Sequence, residues 1–123
     1  MSLKKWMTKN LHVTSPNDPN PFFHPRRYRK SKEEVVKAAR EVVASLSGWR
    51  VEEYRENQGR LHVTRAFFLF LDDINLYITQ SLDGVVQLEM TSQSRAGKGD
   101  WGRNERNVRK FLSKMDSLLT PEP

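Results

Sequence analysis

The sequence contains no cysteine. That excludes a disulfide framework, a thiolate nucleophile and cysteine-ligated zinc or iron–sulfur. The redox compartment stays open, because a cysteine-free chain survives in either environment. Long apolar runs are also missing. The longest, Ala66 to Leu71, has six residues, against the roughly 18–20 needed to cross a bilayer as a helix, so no transmembrane segment is expected. Histidines are few: His12, His24 and His62 show no His-x-x-x-His or His-x-His spacing, so neither a histidine metal site nor a cofactor is expected. No apolar segment follows Lys4 and Lys5, so no secretory leader is visible. A cytoplasmic location is the corresponding expectation. Internal repeats and low-complexity stretches are absent.

What is present fits one globular domain. A chain of 123 residues has room for a single core and little room for two. Its net charge is +6, unevenly spread. Residues 1–30 carry seven basic and one acidic side chain, and residues 95–114 carry seven and two. The stretch between them, 31–94, holds seven basic against ten acidic. Cationic patches at the N-terminal arm and around residues 95–114 favour an anionic ligand or partner, such as nucleic acid, anionic lipid or an acidic protein. A solvated basic surface is the plainer reading of the same charges.

The order of elements predicts an α+β fold. Residues 1–30 read as an irregular arm, because Pro16, Pro19, Pro21 and Pro25 interrupt it. Phe22, Phe23 and Tyr28 are expected to pin that arm across the domain. Residues 31–120 form the single α+β domain. Ser31-Lys32-Glu33-Glu34 fits a capping box, and Val35, Val36, Ala38, Ala39, Val42, Val43 and Leu46 repeat at helical spacing. A helix over about 32–46 follows, closed by Gly48. Strands are expected at Trp49–Glu56, Arg60–Leu71, around Ile74–Ile78 and around Val86–Met90, with Asp72-Asp73 interrupting the second and Asp83-Gly84 forming a hairpin turn. Val108, Phe111, Leu112, Met115, Leu118 and Leu119 restore the helical period before Pro121. The expectation is a small antiparallel sheet of three or four strands, with an N-terminal and a C-terminal helix packed on one face.

The chemistry concentrates between Ser92 and Arg106. Three glycines, Gly97, Gly99 and Gly102, stand between the last strand and the last helix, among Arg95, Lys98, Arg103 and Arg106. A glycine loop feeding a helix start aims free amides at one point, where the helix dipole adds partial positive charge. Ser94, Arg95, Lys98, Arg103 and Arg106 are therefore candidate contacts to an anion or ligand. Asp72, Asp73, Gly97, Gly99, Asp100, Gly102 and Asn104 are candidate structural residues of the bend: Arg95 would pair with Asp72 or Asp73, and Asp100 stands at an N-cap position. The loop is not a phosphate-binding Walker loop, since no Gly-Lys-Ser/Thr ends it, nor a dinucleotide fingerprint, which needs a βαβ context. An enzymatic alternative gathers Asp72, Asp73, Ser94 and Arg95, but Ser92 and Ser94 have no histidine placed as base, so no catalytic residue is assigned. A binding or interaction module is the leading expectation. Phe67, Phe68 and Phe70 beside Arg65 have the composition of a nucleic-acid stacking platform. An apolar run bounded by charges is more simply a buried strand, so these rings are expected in the core.

Ser92, Ser94, Arg95, Gly97, Asp100, Gly102, Asn104 and Arg106, in their spacing, resemble the signature of the family catalogued as domain of unknown function 1499. The resemblance extends to Gly48-Trp49 after the first helix and to Asp72-Asp73, and covers roughly residues 28–118. It implies membership of a group found in bacteria and plant plastids, many of whose members carry a leader, a lipid anchor or a membrane segment. It implies no mechanism, because the family has no established activity. The sequence departs from the pattern in lacking a visible leader and in having Pro16-Asn17-Asp18 where a Pro-Asn-Cys segment is common.

Overall fold

A computed structural model describes residues 10–95 and 102–123. The α+β class holds, but the sheet has six strands among the described residues, where three or four were expected. They are β1 (Leu11–Val13), β2 (Arg26–Tyr28), β3 (Trp49–Arg55), β4 (Arg60–Phe67), β5 (Phe70–Gln80) and β6 (Val86–Ser94). The helices are α1 (Lys32–Ser45), between β2 and β3, and α2 (Arg103–Leu118), after β6.

Strands β3 to β6 form an antiparallel meander. Its turns follow local chemistry. Gly59 closes the β3–β4 turn at φ 62°, and a Cβ there would stand 2.3 Å from the Ile78 carbonyl oxygen. The Gly59 carbonyl accepts the Ile78 amide at 2.7 Å, so the turn is also stitched to β5. At the β5–β6 turn, Gly84 takes φ 84°, while the Asp83 carboxylate accepts the Val85 amide and the Ser81 hydroxyl. A bulge between Val51 and Glu53 shifts the register of β3 on β4. Residues Arg50, Glu52, Glu53 and Arg55 line that outer strand.

The two additional strands come from the segment expected to be irregular. β1 pairs with Thr91–Gln93 of β6 and β2 with Val86–Leu88, both antiparallel. Together they make one interrupted edge strand, with residues 14–25 looping out between its halves. Three-residue strands are too short to show a period of two, and proline masks them further. They form because the outer edge of β6 presents amides and carbonyls that need partners. Arg26 ties this segment down: its guanidinium donates to both Asp116 oxygens of α2 at 2.9 Å and to the Phe22 and His24 carbonyls at 2.7 Å. Phe23 and Tyr28 are buried in the core, and burial raises the Tyr28 phenol well above its ordinary pKa, with Asp116 adding to the shift.

One face of the sheet carries the core. Leu61, Val63, Ile74, Leu76, Ile78, Leu88 and Met90 meet Val35, Ala39, Val42 and Val43 of α1 and Val108, Phe111, Leu112 and Met115 of α2. Each fully buried Leu or Ile contributes roughly 1.5–3 kcal/mol. Trp49 stacks on Phe111 at 6.3 Å between ring centroids. The alternate residues, Asn75, Tyr77, Gln87 and Glu89, face outward and are partly or fully exposed. Helix α1 starts where the capping signal placed it, with the Ser31 hydroxyl accepting the Glu34 amide at 3.1 Å. Gly48 follows its end at φ 84°, 2.6 Å from the Ala66 oxygen by its ideal Cβ.

Two sequence expectations fail here. The aromatic run does not enter the core, and Asp72-Asp73 does not break a strand. The chain turns instead at Phe68-Leu69, with Phe67 paired to Phe70, and both aspartates lie inside β5. Register explains the exposure. Trp49, the first residue of β3, pairs with Arg65, so β4 runs on past its neighbour and past the end of α1. Phe67 and Phe70 are half exposed, and Phe68 and Leu69 are 88% and 99% exposed.

Gly59→Ala should cost at least about 2 kcal/mol of unfolding free energy in urea, because both φ and the Ile78 carbonyl oppose a side chain. Gly84→Ala should lose less, about 1 kcal/mol, since positive φ is strained there but nothing lies within 4 Å of its Cβ. Equal losses would contradict the close-approach argument.

Candidate functional site

The corner where β6 leads into α2 is a buried polar network. Asp72 on β5 is the register partner of Ser94 on β6, and both point inward with Ser92. Helix α2 sends Arg103, Asn104 and Asn107 against them from its first two turns. Arg103 Nε and Nη2 donate to the two Asp72 oxygens at 2.9 and 2.7 Å, and Nη2 also donates to Ser94 Oγ at 2.7 Å. Asn107 Nδ2 donates to Asp72 Oδ2 at 2.9 Å and to Ser92 Oγ at 3.1 Å. Asn104 accepts from the Ser92 hydroxyl at 2.7 Å and donates to Ser94 Oγ at 2.9 Å. Its amide nitrogen also reaches the Asn10 carbonyl at 2.9 Å, which ties in the chain just before β1.

Asp72 is 1% exposed. A carboxylate this dry requires an opposite charge and further donors. The fork of Arg103 supplies two parallel bonds and Asn107 a third. The start of α2 adds the positive end of its dipole. The Arg103 guanidinium also lies over the Phe70 ring, 4.6 Å from its centroid, so the corner is joined to the β4–β5 hairpin tip.

A second cluster sits on the opposite side of the sheet. Asp73 accepts from Arg95 Nε at 3.0 Å and Nη2 at 2.8 Å, and His62 Nε2 lies 2.9 Å from Asp73 Oδ1. Hydrogen bonds from Arg95 are the main reason the Asp73 carboxyl is held below its usual pKa, with His62 adding to the effect. The same contacts raise Arg95. Beside this pair runs an open groove of about 720 Å³, lined by Gly48, Arg50, Glu52, His62, Thr64 and Arg95 among others. Glu52 accepts the Thr64 hydroxyl at 2.9 Å and lies 3.4 Å from Arg50. The Arg50 side chain is largely exposed.

The residues singled out from sequence therefore divide. Asp72, Ser94, Arg103 and Asn104 converge on the inner corner; Asp73 and Arg95 meet on the outer face. Arg106 lies on the exposed side of α2. Gly102 occupies the helix N-cap at φ 81°. Gly97, Lys98, Gly99 and Asp100 lie outside the described residues. The four members of the enzymatic alternative, Asp72, Asp73, Ser94 and Arg95, are not brought together: the pleat sends two to each face. Asp72 takes Arg103 rather than Arg95 as its partner. The sequence reading missed Asn107 and His62. Asn107 had a signal, since Asn104 and Asn107 continue the buried stripe of Val108, Phe111 and Met115 with polar residues. Among the described residues, no three His, Asp or Glu side chains are grouped to hold a metal ion, and no helix is long and apolar enough to cross a membrane.

Fold and corner together define a small α+β domain whose last helix is locked to β5 by a buried ion pair and to β6 by amide and hydroxyl hydrogen bonds. A family profile described as "protein of unknown function (DUF1499)" matches residues 2–115. The chain belongs to that family. Among curated proteins, none matches it.

Asp72→Asn and Arg103→Met should each lower unfolding free energy by roughly 3–5 kcal/mol, because each leaves a buried charge alone. Asp73→Asn should cost much less, since its pair is partly solvated. The depressed Asp73 carboxyl also predicts a pH effect. Its stabilisation is fully present above an unfolded pKa of about 3.9 and is lost as the pH falls through the lower folded value. Acid-titration unfolding curves of wild type and Asp73→Asn should therefore converge at the acid end and separate above it.

Proposed function

We propose that the protein is a non-enzymatic binding module that takes a small anionic ligand at the end of the sheet where β6 enters α2. The observation that carries this reading is the groove beside Arg95, where the exposed guanidinium groups of Arg50 and Arg95 stand together with Glu52 and Glu53. At about 720 Å³ it falls in the size range of small-molecule sites, roughly 300–1,000 Å³. Arg95 and Arg50 supply positive charge at the groove, and Arg106 adds to the field from α2; Lys98, three residues beyond Arg95 in sequence, is a further candidate contact. Arg103 and Ser94 serve this site from beneath: their polar atoms are engaged with Asp72 and Asn104, so they hold the bend rather than the ligand. Gly102 at the helix N-cap and Asn104 shape that bend among the described residues.

A binding role is favoured over catalysis because the inward carboxylate and hydroxyls are saturated with hydrogen bonds. Asp73, the carboxylate on the groove side, is depressed in pKa rather than poised near neutrality, which a general base requires.

Titration with inorganic phosphate, followed by backbone amide shifts, tests the proposal. Arg95→Ala with Lys98→Ala should weaken phosphate binding at least tenfold and leave the unfolding midpoint close to wild type. If Arg95→Ala instead unfolds the domain as Asp72→Asn does, Arg95 is a lock and the groove is not the site.

A further inference from the structure

The β4–β5 hairpin tip carries a separate interaction surface. Phe67, Phe68, Leu69 and Phe70 project beyond the core, and the two turn residues are almost wholly in solvent. A folded domain gains nothing from leaving this much apolar surface in water, and a contiguous exposed patch marks an interaction site. Backbone geometry sharpens the point. Phe68 stands at φ 53°, and among the described residues it is the sole non-glycine with positive φ. A two-residue hairpin with positive φ at its first turn position favours glycine there. A bulky aromatic in that position is strained, and its ring is not repaid by core packing. The residue is expensive for folding, so its use lies outside the fold.

Charge around the tip indicates what the surface meets. The Arg65 guanidinium covers the Phe67 ring at 4.9 Å from its centroid, and Arg103 covers Phe70 at 4.6 Å. Arg65 is held below its ordinary pKa first by burial and then, against the opposing pull of Asp72, by the charges of Arg103 and Arg106. Arg103, paired to Asp72, and Arg106 thus lie close enough to Arg65 behind the aromatic point for their charges to act on it. The shape is a narrow apolar wedge with a cationic shoulder. Apolar side chains at such a point enter the boundary between headgroups and acyl chains, while arginines remain at the level of lipid phosphates.

We infer that the protein docks on anionic lipid bilayers by inserting Phe68 and Leu69 of the β4–β5 hairpin, with Arg65 and Arg106 facing the lipid phosphates and Arg103 held on Asp72 behind them. This surface lies at the hairpin tip rather than in the groove beside Arg95, and it stands or falls independently of the anion site proposed there.

Co-sedimentation of the full chain with vesicles decides it. Wild type should pellet with phosphatidylcholine vesicles containing phosphatidylglycerol, and much less with phosphatidylcholine alone. Phe68→Ser with Leu69→Ser should reduce partitioning at least tenfold while circular dichroism stays that of the wild type. Arg65→Gln should weaken binding and flatten its salt dependence. Leu69→Trp should show a blue-shifted emission on the mixed vesicles, reporting insertion. Phe68→Gly should raise the melting temperature and still lose vesicle binding, separating the cost of the residue from its use. Wild type that stays in the supernatant overturns the proposal. So does a Phe68→Ser/Leu69→Ser variant that pellets as wild type does, which would place binding on basic residues elsewhere. A concentration-dependent dimer in sedimentation equilibrium, abolished by the same variant, would assign the tip to a second copy of the chain and likewise overturn the bilayer.

Discussion

Asp72 is a carboxylate with almost no water, and the end of the sheet is arranged around that constraint. Its position on β5 is fixed by the alternation that also places Ile74, Leu76 and Ile78 inward. An ionised group there must be met by a cation that arrives already oriented. Arg103 arrives on the first turn of α2, and its two parallel bonds fix the plane of the guanidinium. That plane then determines what else it touches: Ser94 on one side and the Phe70 ring on another. Asn104 and Asn107 fill the remaining hydrogen-bonding positions, and Asn104 carries the connection to Asn10. A buried pair of this kind is a weak source of net stability but a strict condition on geometry. It holds the first turn of the last helix against β5.

The neighbouring aspartate shows how one step along a strand changes a residue's work. Asp73 faces the other side, meets Arg95 and His62 in partial solvent, and borders a groove. Inside, charge is used to fix a joint; outside, charge stays accessible. The two proposals share that division. The groove uses the outer face, and the hairpin tip uses the point where β4 and β5 run past their covering elements. The Arg103–Phe70 contact is the physical link between joint and tip.

Local signals in the sequence were read well where one residue type dictates one geometry. Ser31 with Glu34, Asp83-Gly84, Gly48 and the period of Val108 to Met115 each located an element. Non-local consequences were not legible. Nothing in Phe-Phe-Leu-Phe signals a turn, because the usual turn formers are missing; the turn falls there because the Gly59 corner sets the register and Trp49 ends the neighbouring strand. β1 and β2 are visible only once β6 exists to pair with them. At the corner, Arg95 was expected on Asp72 or Asp73 and meets Asp73, but the pairing of Asp72 with Arg103 was not legible, since both are arginines near Asp72-Asp73. What separates them is the side of the sheet each reaches: Arg95 follows inward-facing Ser94 on the strand, whereas Arg103 approaches from a helix lying on the covered face.

The bulge between Val51 and Glu53 has a wider consequence. β3 is the long edge through which the sheet could grow, because the opposite edge consists of the two three-residue strands β1 and β2. A straight β3 would offer a ladder of unpaired amides and carbonyls to any extended peptide or to another copy of itself. The break in register bends that ladder, and Arg50, Glu52, Glu53 and Arg55 place charge of both signs along it. Continuation of the sheet is thereby discouraged. Along β3 the main chain is withheld from partners, and what remains on offer there is side chains.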